Sequence, residues 1–188
     1  MRVAEKKYSK ATEKRATEAK GEVMNTRKLT LLSMSVALSL ILSFVESQIP
    51  PLVAIPGIKL GISNVVTVFL LYSYGWREAG SVSLIRVALS SLLFGTPVSF
   101  IYSLSGAILS FAVMVLLKKT KLFSVVGVSV GGGVMHNAGQ IIIAAIIMST
   151  EEIIYYLPIL AISGTIAGIL VGILGGILSK RLERVVKG

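Results

Sequence analysis

From Leu29 to Leu178 the sequence is apolar almost without interruption, and its few charged residues stand mostly between apolar runs rather than inside them. Such a stretch has one solvent that suits it. In hydrocarbon no water bonds the backbone N–H and C=O groups, so the chain must satisfy them internally, as helices do. Six apolar segments can be read, at about residues 29–45, 60–74, 79–94, 98–117, 123–148 and 153–178. The first is interrupted before Pro50 and Pro51, which cannot continue a helix. The second is short for a hydrocarbon core of roughly 30 Å. The pattern predicts an all-α membrane protein, a bundle of six transmembrane helices.

Composition sharpens this. Of 188 residues, 54% are hydrophobic and 15% charged, where a soluble domain carries roughly 25% charged residues. Residues 1–28 hold nine Lys/Arg and four Glu and almost no large apolar side chain. Such a segment cannot bury a core and is expected to be a disordered polar arm. Met24, whose MNTRK leads straight into the first apolar run, is the expected natural start. The chain thus reads as an arm (1–28), a membrane domain (29–178) and a basic tail (179–188).

The net charge of +10 suggests nucleic acid at first sight, but its placement fits membrane topology and no nucleic-acid partner is expected. Nine basic residues lie in the arm. Arg77 follows segment two, Lys118, Lys119 and Lys121 follow segment four, and Lys180, Arg181, Arg184 and Lys187 follow segment six. The intervening loops hold only Lys59, together with Glu151 and Glu152. Basic residues favour the cytoplasmic side, so both termini are expected there, and an even number of spans is required. Tyr72, Tyr74 and Trp76 on one side, and Tyr155 and Tyr156 on the other, stand where interfacial aromatics belong.

Segment six carries Gly164, Gly168, Gly172 and Gly176 at four-residue spacing. In lipid such a stripe lets another helix approach to backbone contact. Packing within the bundle is the expected use, and docking of a partner the alternative. Segment one offers Ser33 with Ala37, and Ser35, Ser39 and Ser43, as a further face for a helix or a partner subunit.

Ionisable groups inside a bilayer are costly and are functional candidates by default. Arg86 lies near the middle of segment three, too deep to reach the interface easily. It is read either as a ligand-binding group or as a clamp on backbone carbonyls. His136 and Gln140 are four apart and share a helix face, with Asn137 beside them. They form a binding surface or interhelical hydrogen bonds. Glu46, Gln48, Lys59 and Asn64 surround the first outer loop, stiffened by Pro50, Pro51 and Pro56. They form the mouth of a cavity or a solvated rim with a Glu46–Lys59 surface pair of little energetic value. Arg86, Lys59 and a protonated His136 would favour an anionic ligand.

Several chemistries are excluded. There is no cysteine and no aspartate, so disulfides and thiolate metal sites are absent. One histidine without a nearby carboxylate makes no metal site, and no cofactor is implied. The sequence has no phosphate-cradling loop of the ATPase type and no nucleophile elbow. No catalysis by the chain alone is expected.

Two stretches carry a resemblance: PGIKLGISNVVTVFLLYSYGWREAGSVSLIRVALSSLLFGTPVSF (56–100) and GVSVGGGVMHNAGQ (127–140). From about Leu29 onward the chain resembles the Gx transporter family, also labelled heptaprenyl diphosphate synthase component I. It is also similar to the S components of energy-coupling-factor vitamin transporters. Their proline-bearing outer loop, KLxxSx approach to helix two, glycine and third helix correspond to Pro50–Pro56, Lys59–Asn64, Gly75 and the run containing Arg86. The resemblance implies a compact bundle that binds a small molecule from outside and works with a transmembrane coupling subunit and two ATPases. S components often present alanines four apart on helix one to that subunit. Here the stripe is Ser33 and Ala37, a departure that weakens this mode of docking. The synthase label implies a second function, accessory to prenyl diphosphate or quinone metabolism. Prenyl elongation needs aspartate-rich magnesium sites, which this chain cannot supply itself. A structural or electron-transfer anchor without a small ligand is a third reading.

Overall fold

A computed structural model describes residues 26–49, 61–149 and 151–187. Six α-helices follow one another: α1 Thr26–Ser47, α2 Asn64–Ser73, α3 Trp76–Phe94, α4 Pro97–Thr120, α5 Val125–Met148 and α6 Leu157–Lys187. A 3-10 turn, Glu151–Tyr156, precedes α6. No strand occurs among the described residues. Among the described residues, four stretches are long and apolar enough to cross a membrane: α1, α4, α5 and Glu152–Leu182. α3 has 19 residues but carries Arg77, Glu78, Arg86 and four serines. The polar arm up to Asn25 and the proline loop, with Met24, Lys59, Pro50, Pro51 and Pro56, lie outside the described residues, whereas residues 26–28 of the arm are already helical.

The chain divides into two compact units, one through Ser35 and one from Val36 to Gly188. In the first, the helical turns from Thr26 fold hydroxyls back on their own backbone. Thr30 Oγ1 donates to the Thr26 carbonyl at 3.0 Å and Ser35 Oγ to that of Leu31 at 2.8 Å. This satisfies a hydroxyl without water. The description below concerns the second unit.

α5 packs against both α4 and α6, and small residues set how closely. A methyl group at Gly164 would stand 2.7 Å from the Gly133 carbonyl oxygen. One at Gly168 would stand 2.6 Å from Val130 Cα, and one at Gly172 2.7 Å from Val126 Cα. The stripe on α6 therefore lies backbone to backbone against α5. Gly176 is looser, its nearest neighbour being Val125 Cγ1 at 3.7 Å. On the other flank of α5, a methyl at Gly139 would meet Gly106 Cα of α4 at 3.0 Å. Ser105 Oγ donates there to the Gly139 carbonyl at 3.0 Å. Dispersion at short range and interhelical hydrogen bonds take over the task that the hydrophobic effect performs in water.

α2 is the exception in length. Its 10 residues span about 15 Å, half a hydrocarbon core. Val65 to Leu71 are all buried. Its end is tied by Tyr74 and Gly75, whose N–H groups both donate to the Leu70 carbonyl at 2.9 and 3.0 Å. Gly75 then turns the chain into α3 at φ +113°. α2 runs beside the first half of α3 only, because its first residue, Asn64, bonds Arg86, about 15 Å along α3. At the turn, Ser73 Oγ and Ser179 Oγ lie 3.1 Å apart, and Lys118 Nζ donates to the Leu71 carbonyl. One end of the bundle thus gathers Arg77, Lys118, Lys119, Lys121, Lys180 and Arg181, the residues that the sequence groups on one side.

Candidate functional site

The polar centre of the bundle sits at the head of α2. Arg86 of α3 is 7% exposed, Glu46 of α1 5% and Ser63 0%. Arg86 Nη1 donates to Ser63 Oγ, and Arg86 Nη2 to Asn64 Oδ1 at 3.2 Å. The Ser63 hydroxyl in turn donates to Glu46 Oε2 at 3.4 Å. Glu46 Oε1 accepts the Gly61 N–H. A guanidinium and a carboxylate are therefore joined through one serine hydroxyl, which has one proton to give and two lone pairs to accept with.

Local chemistry explains why the chain folds this way. Ser63 stands where a helix N-cap belongs, yet its side chain makes no capping bond. It bridges Arg86 and Glu46 instead. The first N–H groups of α2 are met by tight turns: Asn64 N to Gly61 O at 2.9 Å, Val65 N to Ile62 O at 3.1 Å and Val66 N to Ser63 O at 3.3 Å. Gly61 adopts φ +80°, a conformation that L side chains resist. A methyl there would also strike Asn64 Nδ2 at 2.8 Å.

Arg86 Nε has no hydrogen-bond partner among the described residues. A small cavity of about 10 Å³ opens beside Asn64, bounded by Gly61, Val68, Met114, Gly132 and Gly133. That volume holds about one water molecule.

The residues singled out in the sequence fall into three places. Glu46, Asn64 and Arg86 meet in one hydrogen-bonded group. Glu46 is buried, so of its two readings the solvated rim does not hold: its carboxylate accepts from the Gly61 N–H and the Ser63 hydroxyl. His136, Asn137 and Gln140 are all buried on α5. His136 and Gln140 press on Gly106 of α4, where an added methyl would meet the His136 carbonyl at 2.8 Å and Gln140 Cγ at 2.9 Å. They continue the face that Gly132 presents to the small cavity, one and two turns further on. Asn137 turns the other way and donates to the Leu160 carbonyl of α6 at 2.8 Å. Ser33 and Ala37 are exposed, whereas Ser39 and Ser43 are buried. Ser63, the hub, was not singled out. A serine just before an apolar run looks like an ordinary cap, and only the carboxylate and guanidinium it joins reveal its role.

Apolar helices closing around a buried ionic relay define a multi-pass membrane protein. Within that class the chain belongs to the family described as heptaprenyl diphosphate synthase component I, which matches residues 35–178. No curated protein and no solved structure matches it.

Proposed function

We propose that the chain is the substrate-binding integral subunit of a small-molecule transporter in the cell membrane, working as S components do, with both termini cytoplasmic. One observation carries this reading. A guanidinium is kept deep in an apolar bundle, at the head of a half-length helix, with its Nε left without a partner among the described residues. Half-helices that end near the bilayer midplane beside a charged group are a recurrent way of building substrate sites in transporters. Non-helical backbone such as Gly61–Ser63 is tolerated at that depth only where protein or a cavity surrounds it. Glu46 balances Arg86, so an incoming carboxylate or phosphate competes with Glu46 for the guanidinium, and its arrival loosens the link to Gly61. His136 and Gln140 extend the site along α5. Binding from outside, and coupling to a transmembrane subunit with two ATPases, complete the reading.

A second reading rests on the family description. "Component I" implies another component, and a membrane accessory to a soluble prenyl diphosphate synthase answers to it. The chain has no aspartate, so catalysis on this reading belongs to the partner.

Native mass spectrometry of protein extracted from its own membrane separates the two. Transport predicts a retained small molecule that is lost from Arg86→Gln while the bundle stays folded. Retention unchanged in both Arg86→Ala and His136→Ala sinks that reading. Co-purification of a soluble prenyl synthase, with a gain in its activity, establishes the accessory role instead.

A further inference from the structure

A groove of about 580 Å³ runs between α3 and α4, apart from the relay around Arg86. Its walls are Gly80, Ser83 and Leu84 on one side and Ala107, Ile108 and Phe111 on the other. Small side chains create it. A methyl on Gly80 would stand 3.1 Å from the edge of the Phe111 ring, a tight contact, and the alanines and serines leave the rest unfilled. Trp76 and Arg77 close one end. From Trp76 to Leu84 the groove follows α3 for about 12 Å, from the basic end of the bundle toward its middle. The Arg77 guanidinium lies 5.4 Å from the centre of the Trp76 ring, and both side chains are exposed. Lys118 is engaged with the Leu71 carbonyl and the Tyr72 ring. Arg77 is therefore the cation placed at the groove itself. Glu78, the acidic residue nearest in sequence, does not line it.

We propose that this groove seats one anionic phospholipid, its phosphate against Arg77 and the Trp76 indole N–H and one acyl chain along Gly80, Leu84, Ala107 and Phe111. Charge and shape argue together. The volume lies within the range of ligand sites, and the walls are apolar where a chain would lie. The cation and the indole donor stand only at the end that meets the headgroup layer, as in basic pockets that take anionic headgroups. A zwitterionic lipid offers the same chain but leaves Arg77 without net charge to meet.

The test titrates delipidated full-length protein with phosphatidylglycerol and phosphatidylcholine of equal chain length, read by native mass spectrometry. One phosphatidylglycerol should bind about five-fold more tightly than phosphatidylcholine. Arg77→Gln should abolish that preference and Arg77→Lys keep it, with elution and melting of each variant confirming a folded bundle. Ala107→Leu, which fills the groove, should weaken both lipids alike. The proposal is overturned if the preference survives Arg77→Gln, if it follows Lys119 and Lys121 instead, or if a prenyl diphosphate displaces the lipid at equal concentration.

Discussion

The two flanks of the bundle are held together by opposite means. Along α5 and α6 the glycines remove side chains from the contact, so that backbones touch and almost nothing polar is needed. Around the head of α2, charged and hydroxyl groups from α1, α2 and α3 fill the contact with hydrogen bonds. Shape, with one hydrogen bond from Asn137 to the Leu160 carbonyl, holds the first flank, and no ligand competes with shape. The second is held by groups that a polar ligand also recognises. On the proposed transport reading, it is the flank that a substrate would open.

Substitutions test this division. The largest effect belongs to the relay. Arg86→Leu leaves Glu46 buried without its cation and should cost about 3 kcal/mol. A Glu46→Gln/Arg86→Leu double variant should recover part of the loss. Unfolding in graded detergent mixtures measures both, and strict additivity would show that the two groups are not coupled. On the other flank, Gly168→Leu drives a side chain into the backbone at Val130 and should cost about 2–3 kcal/mol. It should leave Arg86-dependent ligand retention intact in whatever fraction folds, and loss of retention in that folded fraction would erase the contrast between the flanks. Ser63→Ala removes the shared hydroxyl and should cost about 1–2 kcal/mol. Asn137→Ala frees the Leu160 carbonyl and should cost about 1 kcal/mol. Gly176→Ala meets Val125 only at ordinary contact distance and should lie within about 0.5 kcal/mol of the parent. A large loss there would mean that the α6 stripe acts through something other than contact with α5.

Much of the fold was legible because each helix is a long apolar run between polar breaks, and lipid leaves such runs little choice. The ends were less so. Segment three was placed from Ala79, but α3 starts at Trp76, since Gly75 alone makes the turn. Segment two was placed from Leu60, but α2 starts at Asn64. The Gly61 N–H is taken by a carboxylate fifteen residues away, and no local pattern contains that bond. α6 continues past Leu178 to Lys187, because a helix has no need to stop where the apolar run does. In the site, Arg86 stood out as the lone charge inside a span. For Glu46 the sequence leaves two readings open, cavity mouth or solvated rim; beside Gln48 and Pro50 nothing local decides, and only the chain's return at Gly61 buries it. His136 and Gln140 were correctly seen to share a face, but the neighbour they press on, Gly106, belongs to another helix and could not be inferred from spacing.

The ends of α2 carry one more consequence. A free helix of 10 residues is marginal, because starting it costs more than so few turns return. This one has a carboxylate from α1 at its leading end and an ammonium from α4 on a carbonyl of its last turn. Both charges complement the helix macrodipole. The short rod is held like a compass needle between two poles supplied by other parts of the chain. Neutralising either pole would loosen its alignment without touching a single residue of the rod itself.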